Sequence, residues 1–297
     1  MQLGSTFIDD TYAEAFRMRY ARLIVTAHDE HWLQAAVNSA TGYATSVINC
    51  DAEAGVESYL SAEETLDGRP GAALMFFGFS NDGVAKAVSN RVGQCIMTCP
   101  STAVFDGLRG ADERISLGKH IRFFGDGFQK SKQIDGIRYW RIPVMDGEFL
   151  IEEKCGVAKG IAGGNFILQG TTRAAALQAA QAAAEAISQS PGVITPFPGG
   201  VVRSGSKVGS KYKKLKASTN DEFCPNLRGR VETKLHADAN AAIEIVLDGV
   251  SEEAISAGMR AGIRAACEHE GIVAISAGNY GGSLGKFHFY LRDVLAD

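Results

Sequence analysis

Apolar and polar positions over the first hundred residues predict an alternation of helices and strands. Asp29–Ala40 and Asp82–Val92 carry apolar residues at helical spacing, so each is expected to form an amphipathic helix. Polar residues followed by Glu14 resemble a capping box, which predicts a first helix over Asp9–Tyr20. Short apolar runs predict strands at 22–27, 46–50, 72–79 and 93–98, with an acidic loop at 51–67.

The remainder of the chain continues with strands, tight turns and two strong helix patterns. Phe123–Phe128 predicts a strand that runs into a turn, and two Asp-Gly pairs bracket a hairpin strand over Ile137–Val144. Helices are predicted over Thr172–Ser188 and from a Ser251 cap to Glu268. Further strands are predicted at 148–158, 165–169, 193–195, 241–247, 272–276 and 286–291, with glycine turns at 160–164 and 278–285.

These elements form two successive units of β-α-β-β-α-β order. That order is typical of a ferredoxin-like lobe with an antiparallel sheet. The expected fold is therefore α/β (α+β), with two ferredoxin-like lobes related by pseudo-twofold repetition. The change of pattern falls between residues 144 and 147 without a disordered linker, so we expect an N-terminal lobe at 1–145 and a C-terminal lobe at 146–297.

Composition narrows the class of protein. The 297 residues are 45% hydrophobic and 22% charged, which is typical of a globular chain with a large core. The formal net charge of −4 argues against nucleic acid as the main partner. No apolar stretch reaches the roughly 18 residues of a membrane span, and residues 1–10 lack the pattern of a signal peptide. We therefore expect a cytoplasmic protein with no membrane partner.

Cysteine and histidine spacing gives no metal motif. The six cysteines are dispersed, as is typical of reduced thiols. Cys95 and Cys99 have a spacing unlike that of a zinc knuckle, and His28 and His31 lack a third ligand. We expect no metal site.

One basic segment, residues 196–216, stands out against the acidic background. Its last fourteen residues hold six Lys or Arg residues and no acid, together with several serines and glycines. Gly200 and Gly205 have phosphate-loop spacing, but Ser206 separates the second glycine from Lys207, so the phosphate loop is excluded. The segment is either a solvated loop or a ligand loop in which glycine amides and lysines face an anion.

Three further features suggest chemistry. Glu244 is the single acid in the apolar strand 241–247: the alternation favours an exposed glutamate, whereas a covered one would have a raised pKa and act as a general acid or base. Asn165 and Asn279 follow glycines in two turns, which either aim backbone amides at a ligand or simply turn the chain. Cys99 precedes two hydroxyl residues, but no histidine base accompanies it.

Together, several phrases resemble the formylmethanofuran:tetrahydromethanopterin formyltransferase family over essentially the full length. They are Asp-Thr-Tyr-Ala-Glu-Ala-Phe (10–16), Ala-Thr-Gly-Tyr-Ala-Thr-Ser-Val-Ile (40–48), Asp-Gly-Arg-Pro-Gly (67–71), Phe-Phe-Gly-Asp-Gly (123–127), Ala-Gly-Gly-Asn-Phe (162–166), Pro-Phe-Pro-Gly-Gly (196–200), Ser-Lys-Val-Gly-Ser-Lys (206–211), Ala-Ser-Thr-Asn-Asp (217–221) and Ile-Ser-Ala-Gly-Asn-Tyr-Gly-Gly (275–282).

The resemblance implies an acyltransferase that moves a formyl group directly between tetrahydromethanopterin and a methanofuran-type amine, through a tetrahedral intermediate. It implies a homotetramer, no permanently bound cofactor, and the two one-carbon carriers as co-substrates. It also assigns Glu244 as the catalytic, proton-handling residue. The residues expected to bind the carriers are Asn165, Phe197, Gly199, Gly200, Ser206, Lys207, Ser210, Lys211, Asn220 and Asn279.

The mild acidity and the lysine-rich segment further suggest a bacterial member of the family. Such a member resembles the formyltransferase subunit of a formyltransferase/hydrolase complex, in which a hydrolase partner cleaves the formyl carrier to formate during formaldehyde oxidation in methylotrophs. Two other functions stay open at this point. One is a formyl- or acyl-amide hydrolase with Cys99 or a serine as nucleophile, and the other is a carrier-binding subunit without catalytic activity.

Overall fold

A computed structural model of the chain describes residues 1–296. The α-helices are α1 (Glu30–Thr41), α2 (Asn81–Arg91), α3 (Gly118–Ile121), α4 (Arg173–Ser188), α5 (Glu252–Cys267) and α6 (Leu291–Ala296). The strands are β1 (Gln2–Leu3), β2 (Thr6–Ile8), β3 (Tyr12–Thr26), β4 (Glu53–Leu60), β5 (Gly71–Gly78), β6 (Ala103–Asp106), β7 (Glu113–Ser116), β8 (Lys130–Ile134), β9 (Ile137–Val144), β10 (Gly147–Glu152), β11 (Lys154–Gly170), β12 (Val193–Ile194), β13 (Ser206–Val208), β14 (Ala217–Thr219), β15 (Ala241–Gly249), β16 (Ile272–Ser276) and β17 (Phe287–Tyr290).

The chain divides into two compact units that are discontinuous in sequence. The first unit is Met1–Arg17 with the residues from Ile161 onward, and the second is Met18–Gly160. The chain passes between the units within the long strands β3 and β11. The division into an N-terminal and a C-terminal lobe between residues 145 and 146 stays a prediction. The boundaries of the two compact units lie within strands β3 and β11.

The second unit has ferredoxin-like order. Its elements β3, α1, β4, β5, α2 and β6 follow the β-α-β-β-α-β pattern, and its strands pair antiparallel in the order β4-β5-β3-β6. Strand β10 extends this sheet parallel to β6, and β9 and β8 follow antiparallel. Buried apolar residues of α1 and α2, such as Leu33, Val37, Val84 and Val88, pack in one core with the sheet.

The first unit repeats this order. Its elements β11, α4, β12, β15, α5 and β16 pair in the order β12-β15-β11-β16, again antiparallel. Alanines of α4 and Ile255, Met259 and Ile263 of α5 pack in one core with the sheet. An insertion of residues 195–240 between β12 and β15 carries the basic segment and the short β13–β14 hairpin. The expectation of a mixed α/β fold with mostly antiparallel strands is confirmed.

Six local predictions are wrong. The helix predicted at 9–20 is not formed, because residues 12–20 belong to strand β3. The acidic segment at 51–67, predicted as a loop, contains strand β4. Residues 46–50 form turns, while 93–98 lie largely in a π-helical turn over Val92–Ile96. Residues 123–128 continue α3 as a 3-10 turn. The glycines at 160–164 lie inside β11, where Gly163 forms a bulge at a φ of 93°.

Candidate functional site

Strand β15 places Glu244 on the face opposite the core. Ile243, Ile245 and Leu247 are buried, so the alternation predicted from the sequence is present. The side chain of Glu244 is nevertheless only partly exposed, because residues of the 195–240 insertion lie over this face. The prediction of a freely exposed glutamate is therefore wrong.

The beginning of the basic segment lies beside this glutamate. The Val202 N–H donates to the Glu244 carbonyl at 2.7 Å, and the Glu244 N–H donates to the Val202 carbonyl at 3.0 Å. A Cβ atom placed on Gly205 would lie 3.7 Å from Glu244 Oε2. The main chain at residues 202–205 thus forms one wall beside the carboxylate.

An open pocket lies between this wall and the end of the insertion. It encloses about 320 Å³, part of which is open solvent. Glu244 lies at one side with Asn220, Ser204 and Arg203 as polar neighbours. The remaining lining residues are Ile167, Val202, Gly205, Phe223, Cys224, Ala242 and Ile243. Of the predicted carrier-binding residues, Asn220 lines this pocket; Arg203, Ser204, Phe223 and Cys224 were missed, although they flank the motifs at 206–211 and 217–221.

The electrostatics of the pocket single out Glu244. Burial raises the pKa of its carboxyl to about 7, and no cation forms an ion pair with it among residues 1–296. The pKa of Tyr280 is also raised, first by burial and then by the charges of Glu244 and Glu14. A carboxyl in this state both accepts and returns a proton near neutral pH.

Gly278 lies near the second carboxylate oxygen of Glu244 and is hydrogen-bonded to Asn165. A Cβ atom on Gly278 would lie 3.6 Å from Glu244 Oε1 and 3.2 Å from Asn165 Oδ1. The Gly278 N–H donates to Asn165 Oδ1 at 2.6 Å, and Asn165 Nδ2 donates to the carbonyls of Gly278 and Gly163 at 3.0 and 3.1 Å. The side-chain amide of Asn165 is therefore engaged by the main chain around the site.

The glycine loop, residues 278–285, is held from within by Glu14. This side chain is 1% exposed, and its carboxylate accepts N–H bonds from Tyr280, Gly282, Leu284 and Gly285. Burial acts to raise its pKa, but the four N–H donors together hold that pKa below its usual value. The sequence pattern missed this role, because a carboxylate that binds N–H groups from a distant loop has no local signature.

The second predicted asparagine, Asn279, also bonds within the fold. Its Nδ2 donates to Thr11 Oγ1 at 3.1 Å and to the Tyr12 carbonyl at 3.2 Å, and its Oδ1 accepts from Gly281 N–H at 3.2 Å. Direct contact of Asn165 or Asn279 with a carrier stays a prediction, and the structure gives both amides partners that fix the glycine loop.

The β13–β14 hairpin carries the remaining polar candidates. Lys207 Nζ pairs with Asp221 Oδ1 at 2.5 Å, and this bond lowers the pKa of Asp221. Ser206 is exposed, and Ser210 Oγ accepts the Tyr212 N–H at 3.1 Å in a turn. Lys211 is exposed and forms no ion pair within residues 1–296. The hairpin thus presents a charged surface near Asn220, with one of its lysines neutralised.

Residues 197–200 form a tight turn next to helix α4. The Gly200 N–H donates to the Phe197 carbonyl at 2.8 Å, so this N–H is already engaged within the turn and is not free to donate to a carrier oxygen. Gly200 has a φ of 77°, and a Cβ there would lie 2.8 Å from Ala184 Cβ, which requires glycine. Gly199 also has a positive φ but faces open space, and Phe197 is partly exposed.

No group of three or more His, Cys, Asp or Glu residues with metal-site geometry occurs within residues 1–296. None of the helices in this described part of the chain is both long enough and apolar enough to cross a membrane.

Known proteins match the chain over its full length. Residues 1–144 match the family described as formylmethanofuran-tetrahydromethanopterin formyltransferase, and residues 147–294 match the family described as "FTR, proximal lobe". A Methylobacillus flagellatus protein named formylmethanofuran–tetrahydromethanopterin formyltransferase is 53% identical over 302 residues, covering 100% of both chains.

Two solved structures are similar to the whole chain. The formylmethanofuran:tetrahydromethanopterin formyltransferase from Methanosarcina barkeri has a TM-score of 0.95 at 47% identity, over 99% of this chain and 100% of that one. A chain of the formyltransferase/hydrolase complex from Methylorubrum extorquens, solved with methylofuran, has a TM-score of 0.96 at 46% identity, over 100% and 99%. The resemblance found in the sequence is thus confirmed: the chain belongs to the formylmethanofuran–tetrahydromethanopterin formyltransferase family.

Proposed function

We propose that this formyltransferase uses Glu244 to carry the proton during direct transfer of the formyl group. The transferase activity, with methanofuran-type and tetrahydromethanopterin carriers as co-substrates, follows from family membership. The role of Glu244 is our assignment, and one observation carries it: a partly buried carboxyl, with a pKa raised to about 7 and without a paired cation in the described chain, faces the pocket.

The chemistry requires one group of this kind. The attacking amine nitrogen of one carrier forms a C–N bond to the formyl carbon, which becomes tetrahedral and bears an oxyanion. The original C–N bond, between the formyl carbon and the nitrogen of the donor carrier, then breaks. By that point the attacking nitrogen has lost a proton and the departing nitrogen has gained one. A single carboxylate can take the first proton and deliver it to the leaving amine, so no net proton is consumed.

The rest of the pocket supports positioning of two carriers. Ile167, Phe223 and Ala242 offer apolar contact, while Asn220, Ser204 and Arg203 offer polar contacts close to the carboxylate. Holding both reactants in register supplies a large part of the acceleration in a transfer without a covalent enzyme intermediate. We propose that accessible residues of the basic segment contact the carriers, the serines and lysines binding their polar parts; these residues are Phe197, Gly199, Ser206, Lys207, Ser210 and Lys211.

The hydrolase alternative finds little support at Cys99. Burial raises the pKa of this thiol, and its Sγ donates to the Trp32 carbonyl at 3.4 Å. The protonated thiol is a weak nucleophile, because the thiolate is the reactive form. This argues against a covalent formyl-enzyme at Cys99.

The assembly of the chain is a further proposal. Its similarity to the Methylorubrum extorquens complex supports work as the formyltransferase subunit of a formyltransferase/hydrolase complex in the bacterial cytoplasm. A homotetramer is the alternative assembly, and isolation of the native protein without hydrolase subunits would favour it.

A spectroscopic transfer assay with purified protein and both carriers, run in both directions, tests the proposed reaction. Glu244→Gln keeps the size of the side chain and removes its ability to accept a proton. We expect a loss of kcat of about 100-fold or more, in the range of general acid–base catalysis, with carrier binding retained. An unchanged kcat would remove Glu244 from the mechanism and leave carrier binding as the function of the pocket.

A further inference from the structure

We infer that Glu14 is a positioning residue for the Glu244 site, because its carboxylate holds the glycine loop that begins next to the Glu244 side chain. This inference rests on the proposed role of Glu244 and extends it to a buried residue that does not line the pocket. It is carried by three relationships: the bonds of Glu14 to the loop, the anchoring of the loop at Gly278, and the position of Gly278 near the Glu244 carboxylate.

The loop is wrapped around the Glu14 carboxylate as around a bound anion. Oε2 accepts N–H bonds from Tyr280 at 2.7 Å and Gly282 at 2.9 Å, and Oε1 accepts from Leu284 at 2.6 Å and from Gly285. Converging main-chain N–H groups form an anion-binding nest. Gly281 and Gly282 have φ values of 70° and 73°, which let these N–H groups converge. Without a buried acceptor, four main-chain donors would lose their partner.

The same strand also fixes the start of the loop. The Glu14 N–H donates to the Gly278 carbonyl at 3.2 Å, next to the two bonds between Asn165 and Gly278. Gly285, at the end of the loop, lies so close that a Cβ there would be 2.5 Å from the Ala15 carbonyl oxygen. Residue 14 therefore contacts the loop through both its main chain and its side chain.

Displacement of the loop would expose Glu244. A Cβ atom on Gly278 would lie 3.6 Å from Glu244 Oε1. The pKa of Tyr280 is raised first by burial and then by the charges of Glu244 and Glu14, so this phenol also lies close to Glu244. Because burial alone raises the pKa of Glu244, water admitted on this side would return that pKa toward its ordinary value near 4.5. The other charged or titratable groups around the pocket are Arg203 and Cys224.

The test compares the pH dependence of kcat/KM in wild type and Glu14→Ala. We expect kcat/KM to fall roughly 10- to 100-fold, as for small misplacement of a reacting group, and its acid limb to move from near pH 7 to lower pH. Acetate should restore both values by refilling the four N–H donors, whereas chloride at equal ionic strength should not. A folded variant with wild-type kcat/KM and an unmoved acid limb would overturn the inference.

A second variant serves if Glu14→Ala fails to fold. Gly282→Ala keeps the carboxylate but disfavours the positive φ of one donor, so it should move the acid limb in the same direction. Glu152→Gln is the matched control: Glu152 is also 1% exposed, and its hydrogen-bond and ion-pair partners, the Asp106 N–H and Arg109, belong to the second unit. It should lower stability and leave the acid limb in place; a shift equal to that of Glu14→Ala would assign the effect to general destabilisation and overturn the inference.

Glu244→Gln, measured in parallel, separates this inference from the proposed function. Should that variant keep the wild-type rate, the catalytic assignment fails, and the Glu14 inference fails with it. If it is inactive while Glu14→Ala keeps the native profile, the inference about Glu14 fails alone.

Discussion

Two hydrogen bonds join Asn165 of strand β11 to Gly278 of the glycine loop. The Gly278 N–H donates to Asn165 Oδ1 at 2.6 Å, and Asn165 Nδ2 donates to the Gly278 carbonyl at 3.0 Å. Asn165 is 6% exposed, so water cannot readily replace these bonds. The side-chain amide of Asn165 thus pairs with both the N–H and the carbonyl of Gly278, as the main chain of a neighbouring strand would. The consequence for the site is that Gly278 stays next to Glu244.

Removal of this amide should cost stability and activity together. Asn165→Ala leaves the Gly278 N–H without its partner and removes one bond each from the carbonyls of Gly163 and Gly278, of which the Gly278 carbonyl keeps the Glu14 N–H. This should lower the free energy of unfolding by about 1–3 kcal/mol. Activity should fall through kcat more than through KM, because the change acts next to Glu244, the proposed proton carrier. Thermal unfolding and transfer kinetics measure the two effects. A rise in KM alone would instead support the predicted direct contact of Asn165 with a carrier.

Close main-chain packing in the second unit gives an independent prediction about the fold. A Cβ on Gly156 would lie 2.1 Å from the Leu108 carbonyl oxygen, so Gly156→Ala must displace main chain. We expect Gly156→Ala to lower the free energy of unfolding by about 1–3 kcal/mol or more, as other overpacking substitutions do. Gly93→Ala is the control, since no atom lies within 4 Å of its Cβ position. Equal unfolding temperatures for the two variants would contradict this packing.

Helices with a capping residue were predictable from local sequence. The side chains of Asp29, Thr172 and Ser251 accept the first-turn N–H bonds of α1, α4 and α5, where the sequence places these helices. Strand β15 was equally accessible, because its apolar alternation agrees with its burial. These predictions depend on neighbours within a few residues, which one sequence contains.

The failures occur where the partner lies far along the chain. Glu14 follows polar residues as in a capping box, yet the N–H groups that it binds lie more than 260 residues away, in the glycine loop. Likewise the pattern around Glu244 indicated its face of the sheet, but only the 195–240 insertion decides whether that face is open. Alternation gives orientation, whereas burial depends on what lies opposite.

The two lysines that are predicted to bind the carriers, Lys207 and Lys211, should differ in their effect on binding. Lys207 is neutralised by Asp221, whereas Lys211 forms no ion pair within residues 1–296. Lys211→Ala should therefore raise the KM for an anionic carrier by about 2- to 5-fold at low salt, and high salt should abolish the difference. Lys207→Ala should change KM less. KM values measured for both variants at low and high salt test this order, and an equal salt-dependent effect would show that Asp221 releases Lys207 on binding.

The buried carboxyl of Glu244 should lower the free energy of unfolding at and above neutral pH, where it ionises. Its pKa is raised by burial to about 7 from an ordinary value of 4.5, so the folded state binds its proton more tightly than the unfolded state. Stability is therefore lost as pH rises from about 4.5 to about 7. Since the side chain keeps some exposure, we expect Glu244→Gln to be more stable than wild type by about 1–3 kcal/mol at pH 8, with little difference at pH 4.5. Thermal unfolding across this range measures the gap, with the exposed Glu148→Gln as a control that should show no such rise. A gap independent of pH would mean that Glu244 ionises as an ordinary carboxylate, which would remove the electrostatic basis for its role as the proton carrier.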